Sequence, residues 1–323
     1  MLPSFFRENS GPSGSMAPVI GAVAEEVMKE DASASDYRKQ ESDRHTYRSV
    51  FISDTHLGTK AARVDLLLDF LKTVRCQELY LVGDIVDGWA IQRSWYWDTA
   101  HNDVIRRVLK MAKHGVKVVY VPGNHDEGLR GFEGNDLAGV SLEHELIFEA
   151  ANGKRYWVLH GDQFDGVVKY AKWLAHVGDR AYAVLLKLNT TVNSLRRLLG
   201  YDYWSLSAYL KHKVKNAVEY IGKYEEAVAA EAKRRGVDGV ICGHIHHAEK
   251  RNFDGVEYMN DGDWVESCTA LVEDKHGEFH ILHWADEIAK RPSKPEKSQV
   301  KKSKKNKKRK SSKEDAPIPI AAE

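Results

Sequence analysis

The chain has 323 residues, 42% hydrophobic and 10% aromatic, enough for one large or two ordinary globular cores. Its net charge of +1 hides an asymmetry, because residues 290–323 carry thirteen Lys and Arg against four Asp and Glu and leave the remainder at −8. It has no run of eighteen apolar residues and no basic-then-apolar leader, so neither a spanning helix nor secretion is expected and the default address is the cytoplasm.

Residues 1–45, rich in Gly, Ser, Ala and charge, read as a disordered extension. Val50-Phe51-Ile52 then begins a strand that ends in Ser53-Asp54-Thr55-His56. Val64, Leu67, Leu68 and Leu71 recur at helical spacing and lead into Leu79-Tyr80-Leu81-Val82, a fully buried strand that breaks at Gly83-Asp84. Val104, Val108 and Met111 mark a second helix before the strand Val116 to Val121, which ends in Gly123-Asn124-His125-Asp126. This half is therefore β-α-β-α-β, a sheet with helices on it. The run Tyr156 to Leu159 ends likewise in His160-Gly161-Asp162, and Val237 to Cys242 in Gly243-His244-Ile245-His246.

Between those last two runs lies a helical stretch, residues 164–235. Tyr170, Trp173, Leu174 and Val177 mark one amphipathic face, Val184, Leu188, Val192, Leu195 and Leu199 another, and a third helix follows Leu199-Gly200-Tyr201-Asp202. It is expected to emerge beside the polar clusters and cover them as a lid. Past His246, Phe253-Asp254-Gly255-Val256 and the runs around Tyr258, Thr269 and Phe279 read as antiparallel hairpins. The three cysteines, Cys76, Cys242 and Cys268, fit reduced core thiols. Residues 287–323 form a basic tail, densest over 301–310, that cannot fold alone. It reads as a solubilising extension or, alternatively, as a peripheral contact for anionic lipid head groups; it lacks the interleaved aromatics that would signal nucleic acid.

Every polar cluster falls at the carboxyl end of a strand, where open α/β sheets bind their ligands. A buried carboxylate there is costly unless cations or donors compensate it. In Asp54-Thr55-His56, and again in His244-Ile245-His246, two side chains two residues apart on an extended segment project to one face. Carboxylate, imidazole and one amide, with no thiolate, suit Mn²⁺, Fe²⁺, Zn²⁺ or Co²⁺. Seven candidate ligands, Asp54, His56, Asp84, Asn124, His160, His244 and His246, are too many for one catalytic ion with open positions, so two divalent ions sharing a carboxylate, Asp84, are expected.

The ordered set Asp54-x-His56, Gly83-Asp84-x-x-Asp87, Gly123-Asn124-His125-Asp126, His160-Gly161-Asp162 and Gly243-His244-x-His246 resembles the calcineurin-like metallophosphoesterase superfamily. The resemblance implies an α/β fold, a four-layer α-β-β-α sandwich, with the core in 46–163 and 236–286 and the lid in 164–235. It puts Asp54, His56 and His246 on one ion, Asn124, His160 and His244 on the other, and Asp84 between, with manganese the favoured metal. A bridging water would attack phosphorus, and His125, oriented by Asp126, would serve as acid or electrostatic stabiliser.

Within that superfamily the chain is most similar to the bacterial UDP-2,3-diacylglucosamine diphosphatases of lipid A synthesis, whose best-known form has Arg in place of His125. The implied substrate is UDP-2,3-diacylglucosamine or a close relative, a glycolipid nucleotide sugar, cleaved to UMP and a lipid monophosphate. Trp173 and Leu188 would then line an acyl pocket, and Arg180, Lys187, Arg196 and Arg197 would face phosphates. The alternatives are a soluble nucleotide pyrophosphatase or phosphodiesterase of the same fold and a catalytically silent scaffold, as in the retromer subunit; the intact ligand set disfavours the last.

Overall fold

The computed structural model describes residues 45–165 and 206–291, with 206–218 described by backbone alone. The first sheet holds β1 (Thr46–Ile52), β2 (Arg75–Val82), β3 (Lys117–Val121), β4 (Asp136–Leu137), β5 (Val140–Leu142), β11 (Thr269–Glu273) and β12 (Phe279–His283), in the order β12-β11-β1-β2-β3-β5-β4. The second holds β6 (Leu146–Glu149), β7 (Arg155–Val158), β8 (Gly239–Cys242), β9 (Glu249–Phe253) and β10 (Val256–Asn260), in the order β6-β7-β8-β10-β9. In each sheet the central pairs are parallel and the edge strands antiparallel.

Alternation within the strands builds three apolar layers. Val50, Ile52, Leu79, Leu81 and Val118 face outward from the first sheet and pack under helices α1 (Val64–Thr73) and α3 (Thr99–Lys113), which bury Leu67, Phe70, Leu71, Val104 and Val108. Phe51, Tyr80, Val82 and Val119 face the other way and meet Phe148, Tyr156, Val158, Ile241 and Met259 of the second sheet. Phe51 stacks on Tyr80 at 4.7 Å and meets Phe148 edge-on at 5.2 Å; each such pair is worth about 0.5–1.5 kcal/mol beyond its buried area. On the far face of the second sheet, Trp157, Leu159, Val240 and Tyr258 pack under α4 (Leu206–Arg234). The result is the four-layer α-β-β-α sandwich.

Of the helical stretch 164–235, the described C-terminal part packs on the second sheet. Tyr224, Val228, Ala229 and Ala232 of α4 are buried against the second sheet, so this part of the stretch is the fourth layer. Helical periodicity shows that a helix has an apolar face without showing what that face meets. Trp173, Arg180, Lys187, Leu188, Arg196 and Arg197 lie outside the described residues, as do 1–44 and 292–323. Among the described residues no helix is long and apolar enough to cross a membrane. Cys76, Cys242 and Cys268 are free, the last two buried. A short helix α2 (Gly88–Arg93) follows β2, and α5 (Trp284–Ala289) closes the described chain.

Candidate metal centre

Strand register brings the polar clusters together. β1 and β2 pair with Ile52 opposite Leu81, β2 and β3 with Val82 opposite Val121, and β7 and β8 with Val158 opposite Ile241. Asp54, Asp84 and Asn124 therefore leave one sheet at nearly one level, and His160 leaves the other beside Gly243. Beyond the strand ends β1 and β2 stay zipped, since Asp54 N–H donates to Gly83 O at 3.0 Å and His56 N–H to Asp84 O at 3.0 Å.

Aiming these side chains inward requires unusual backbone. Asp54, His56, Asp84, His244 and His246 all have φ between 46° and 72°, the left-handed region non-glycine residues avoid at a cost of about 1–3 kcal/mol each. Five strained residues at one spot mark a constellation held by its surroundings. Gly123 carries the same demand in another form, because a Cβ there would overlap Asp84 Oδ1 and the His160 ring.

Among the described residues three groups of possible ligand atoms form, one of them His56, Asp87 and His125; the other two contain the expected ligands. Around the first, His246 Nε2 lies 3.1 Å from Asp54 Oδ1, and His56 Nε2 lies 3.7 Å from that oxygen and 3.4 Å from His246 Nε2. Around the second, His160 Nε2 lies 3.4 Å from Asp84 Oδ1 and 3.2 Å from His244 Nδ1. Asp84 extends its other oxygen to within 3.9 Å of His56 Nε2, so it stands between the groups. Asn124 contributes a buried Oδ1 with no hydrogen-bond partner, and the equally buried Asp54 Oδ1 meets only the ring nitrogens of His246 and His56.

The remaining ring nitrogens fix the tautomers. His160 Nδ1 donates to Val82 O at 2.9 Å, which leaves the Nε2 lone pair facing inward. His244 Nε2 pairs with Asp165 Oδ1 at 2.6 Å, so its Nδ1 lone pair points at His160. His56 Nδ1 pairs with Asp87 Oδ2 at 3.2 Å. Facing lone pairs repel unless a cation lies between them, and the orphaned Asn124 oxygen lacks the same partner. The donor set therefore fits two divalent ions. Without ions, protons serve instead. Burial opposes charging of His56, yet its bonds to Asp54 and Asp87 outweigh that and carry its pKa up to about 10. Burial likewise opposes His160, and the Asp84 carboxylate carries it up to about 10. Asp84 is held down to about 2, its burial outweighed by the facing His160.

His125 sits at the rim, its Nε2 3.9 Å from Asp84 Oδ2 and its backbone N–H donating to Asp84 Oδ1 at 2.8 Å. The carboxylate at its Nδ1 is Asp87, at 3.0 Å, and not the adjacent Asp126. Asp126 is buried within the loops, where its oxygens accept from Ile85 N–H at 2.8 Å, Gly123 N–H at 2.5 Å and Tyr120 OH at 2.6 Å. The expectation that Asp126 orients His125 is corrected accordingly: neighbouring side chains on a turn diverge, and three donors draw this one into the core. Asp87, present in the Gly83-Asp84-x-x-Asp87 motif without an assigned role, holds His56 with one oxygen and His125 with the other. Sequence reasoning also missed Asp165 and Trp89. The Trp89 ring lies 4.4 Å from that of His125 and is 42% exposed. The excess of aromatics in Trp89 to Trp97 was the available signal.

A family model described as calcineurin-like phosphoesterase matches residues 47–248. Among curated proteins, the chain is similar to the UDP-2,3-diacylglucosamine hydrolase of Xanthomonas campestris pv. campestris, 27% identical with 71% of this chain and 96% of that protein covered. A match to the hydrolase of the same name from Blochmanniella pennsylvanica is 26% identical and covers 40% of this chain and 53% of that one. Among solved structures, the chain is similar to wild-type Vps29 complexed with zinc from Entamoeba histolytica, with 15% identity, a TM-score of 0.36, and coverage of 72% and 96%.

Proposed function

The chain belongs to the calcineurin-like phosphoesterase family and is a metal-dependent hydrolase, and on that premise we propose that it cleaves the pyrophosphate of UDP-2,3-diacylglucosamine or a close relative, yielding UMP and a lipid monophosphate. The observation that carries the hydrolytic half is the pair of facing ligand groups with Asp84 between them. Similarity to the diacylglucosamine hydrolases supports the substrate half.

In this reading Asp54, His56 and His246 would hold one ion, Asn124, His160 and His244 the other, and Asp84 would serve both, with manganese the favoured metal. When bound, the ions supply Lewis acidity toward the phosphoryl oxygens and lower the pKa of water. The protein supplies position and protons. Asp87, which the His125 and His56 bonds hold ionised despite burial, accepts at His125 Nδ1 and leaves Nε2 facing the centre. For that step His125 carries a proton on both ring nitrogens: it pairs with Asp87 through Nδ1–H, gives its Nε2 proton to the departing phosphate oxygen, and is left a neutral imidazole whose Nδ1–H Asp87 still holds. Trp89 walls one side of that ring. Trp173 and Leu188 receive acyl chains, and Arg180, Lys187, Arg196 and Arg197 receive phosphates.

The test compares UDP-2,3-diacylglucosamine with its deacylated form under one metal condition, reading UMP release by phosphorus NMR. Burying acyl methylenes contributes about 0.8 kcal/mol each, so kcat/KM should favour the acylated substrate by orders of magnitude. Trp173→Asp or Leu188→Asp should depress that substrate selectively. Equal kcat/KM for the two would move the assignment to a soluble nucleotide pyrophosphatase.

A further inference from the structure

Behind Asp54 lies a buried chain of polar groups that the metal reading alone does not use. Ser53 Oγ is 2.6 Å from Asp54 Oδ2 and 2.5 Å from Asp261 Oδ1, with Gly262 O at 3.2 Å. Asp261, Ser53 and Asp54 are each no more than 1% exposed. The same Asp54 Oδ2 accepts the His244 N–H at 2.8 Å, so it is fully engaged, while Asp54 Oδ1 meets only the ring nitrogens of His246 and His56. One oxygen is held from behind and the other presented forward.

We propose that Asp261 is a positioning residue for the first ion, acting through Ser53 to lock Asp54 so that only Oδ1 points into the centre. The inference rests on the metal reading above and concerns what makes Asp54 a one-oxygen ligand. A hydroxyl has a single proton, and here it meets two carboxylates. If Ser53 donates to Asp54, the bond between Ser53 and Asp261 needs a proton from Asp261. Asp261 is thus a neutral carboxylic acid donating to Ser53, which donates in turn to Asp54. Burial, which pushes the Asp261 carboxyl well above its usual range, agrees with that count. Gly243 packs directly on this chain: a Cβ there would overlap both Ser53 Oγ and Asp54 Oδ2. Backbone bonds anchor the far end, with Asp261 N–H donating to Cys242 O at 3.1 Å and Thr269 Oγ1 donating to Asp261 O at 2.8 Å.

The test is cobalt titration of the full-length, metal-stripped protein, followed by the d–d absorption of the bound ion and by elemental analysis. Groups that orient metal ligands typically contribute 10–100-fold in affinity. Wild type should take up two equivalents. Asp261→Ala and Ser53→Ala should each weaken one equivalent by at least about tenfold and leave the other unchanged. Asp261→Asn, which keeps the shape and a neutral donor, should restore the wild-type titration. Should Asp261→Ala fail to fold by circular dichroism, Ser53→Ala, which deletes one oxygen, decides alone. Two equivalents of wild-type affinity in a folded Asp261→Ala or Ser53→Ala variant would overturn the relay while leaving the metal reading intact. An Asp261→Asn variant as weak as Asp261→Ala would also overturn it. A wild type that takes up no cobalt would instead overturn the metal reading.

Discussion

Asp87 and His125 lie 3.0 Å apart, Oδ1 to Nδ1, although they come from the ends of different strands, β2 and β3. Asp87 also meets His56, so one carboxylate touches both a candidate metal ligand and the candidate acid. Substitution at His125 should separate these roles. His125→Gln lowers kcat by roughly 10²-fold or more with metal content intact, whereas Asp87→Asn lowers kcat and also weakens metal binding through His56. Steady-state kinetics with elemental analysis checks both. Turnover retained in His125→Gln would remove the acid role.

Asp84→Ala abolishes activity and metal content together. The variant loses the oxygen facing His160 and the oxygen facing His56 at once, leaving two incomplete groups. Two bound equivalents of transition metal in the purified variant would show that Asp84 is not shared.

Asp126 has a different consequence. Asp126→Ala strands Ile85 N–H, Gly123 N–H and Tyr120 OH in the interior. With each unsatisfied buried group costing about 1–3 kcal/mol, the metal-free protein should lose about 3 kcal/mol or more in urea unfolding. A loss below about 1 kcal/mol would mean that the loops re-pair.

Proton and metal compete for the same nitrogens. Unfolded histidine titrates near 6.5, and His56 and His160 in the metal-free fold titrate at about 10. A raised folded pKa stabilises the fold fully below the unfolded value, and that contribution is lost as pH climbs through the folded one. The Tm of chelated protein should therefore fall as pH rises from about 7 to about 10. His160→Gln should flatten the fall. Metal affinity should rise over the same range, since loading must displace the protons. A chelated wild type whose Tm is constant or rises across that window would contradict the assignment.

Removing residues 301–310 leaves turnover of a soluble phosphodiester unchanged and weakens binding to phosphatidylglycerol-containing vesicles. Each basic residue near such a surface contributes about 1 kcal/mol, screened as salt shortens the Debye length to about 8 Å. Sedimentation with vesicles at two salt concentrations checks this; equal binding with and without the segment refutes it.

The strand-end clusters, the β-α-β-α-β half and the residues that could face a metal are legible in the chain's local pattern. Period-two strands and periodic helices are local properties, and a polar cluster after an apolar run sits at a strand end in whatever sheet forms. The partnerships arise only on folding. His56 pairs with Asp87 across 31 residues, His244 with Asp165 across 79, and Ser53 with Asp261 across 208. No local pattern encodes such pairs, which arise where loops from two sheets close over one another. The same holds for Asp126, drawn away from its neighbour by buried donors, and for α4, whose apolar stripe became a layer of the sandwich because the second sheet had an uncovered face to bury.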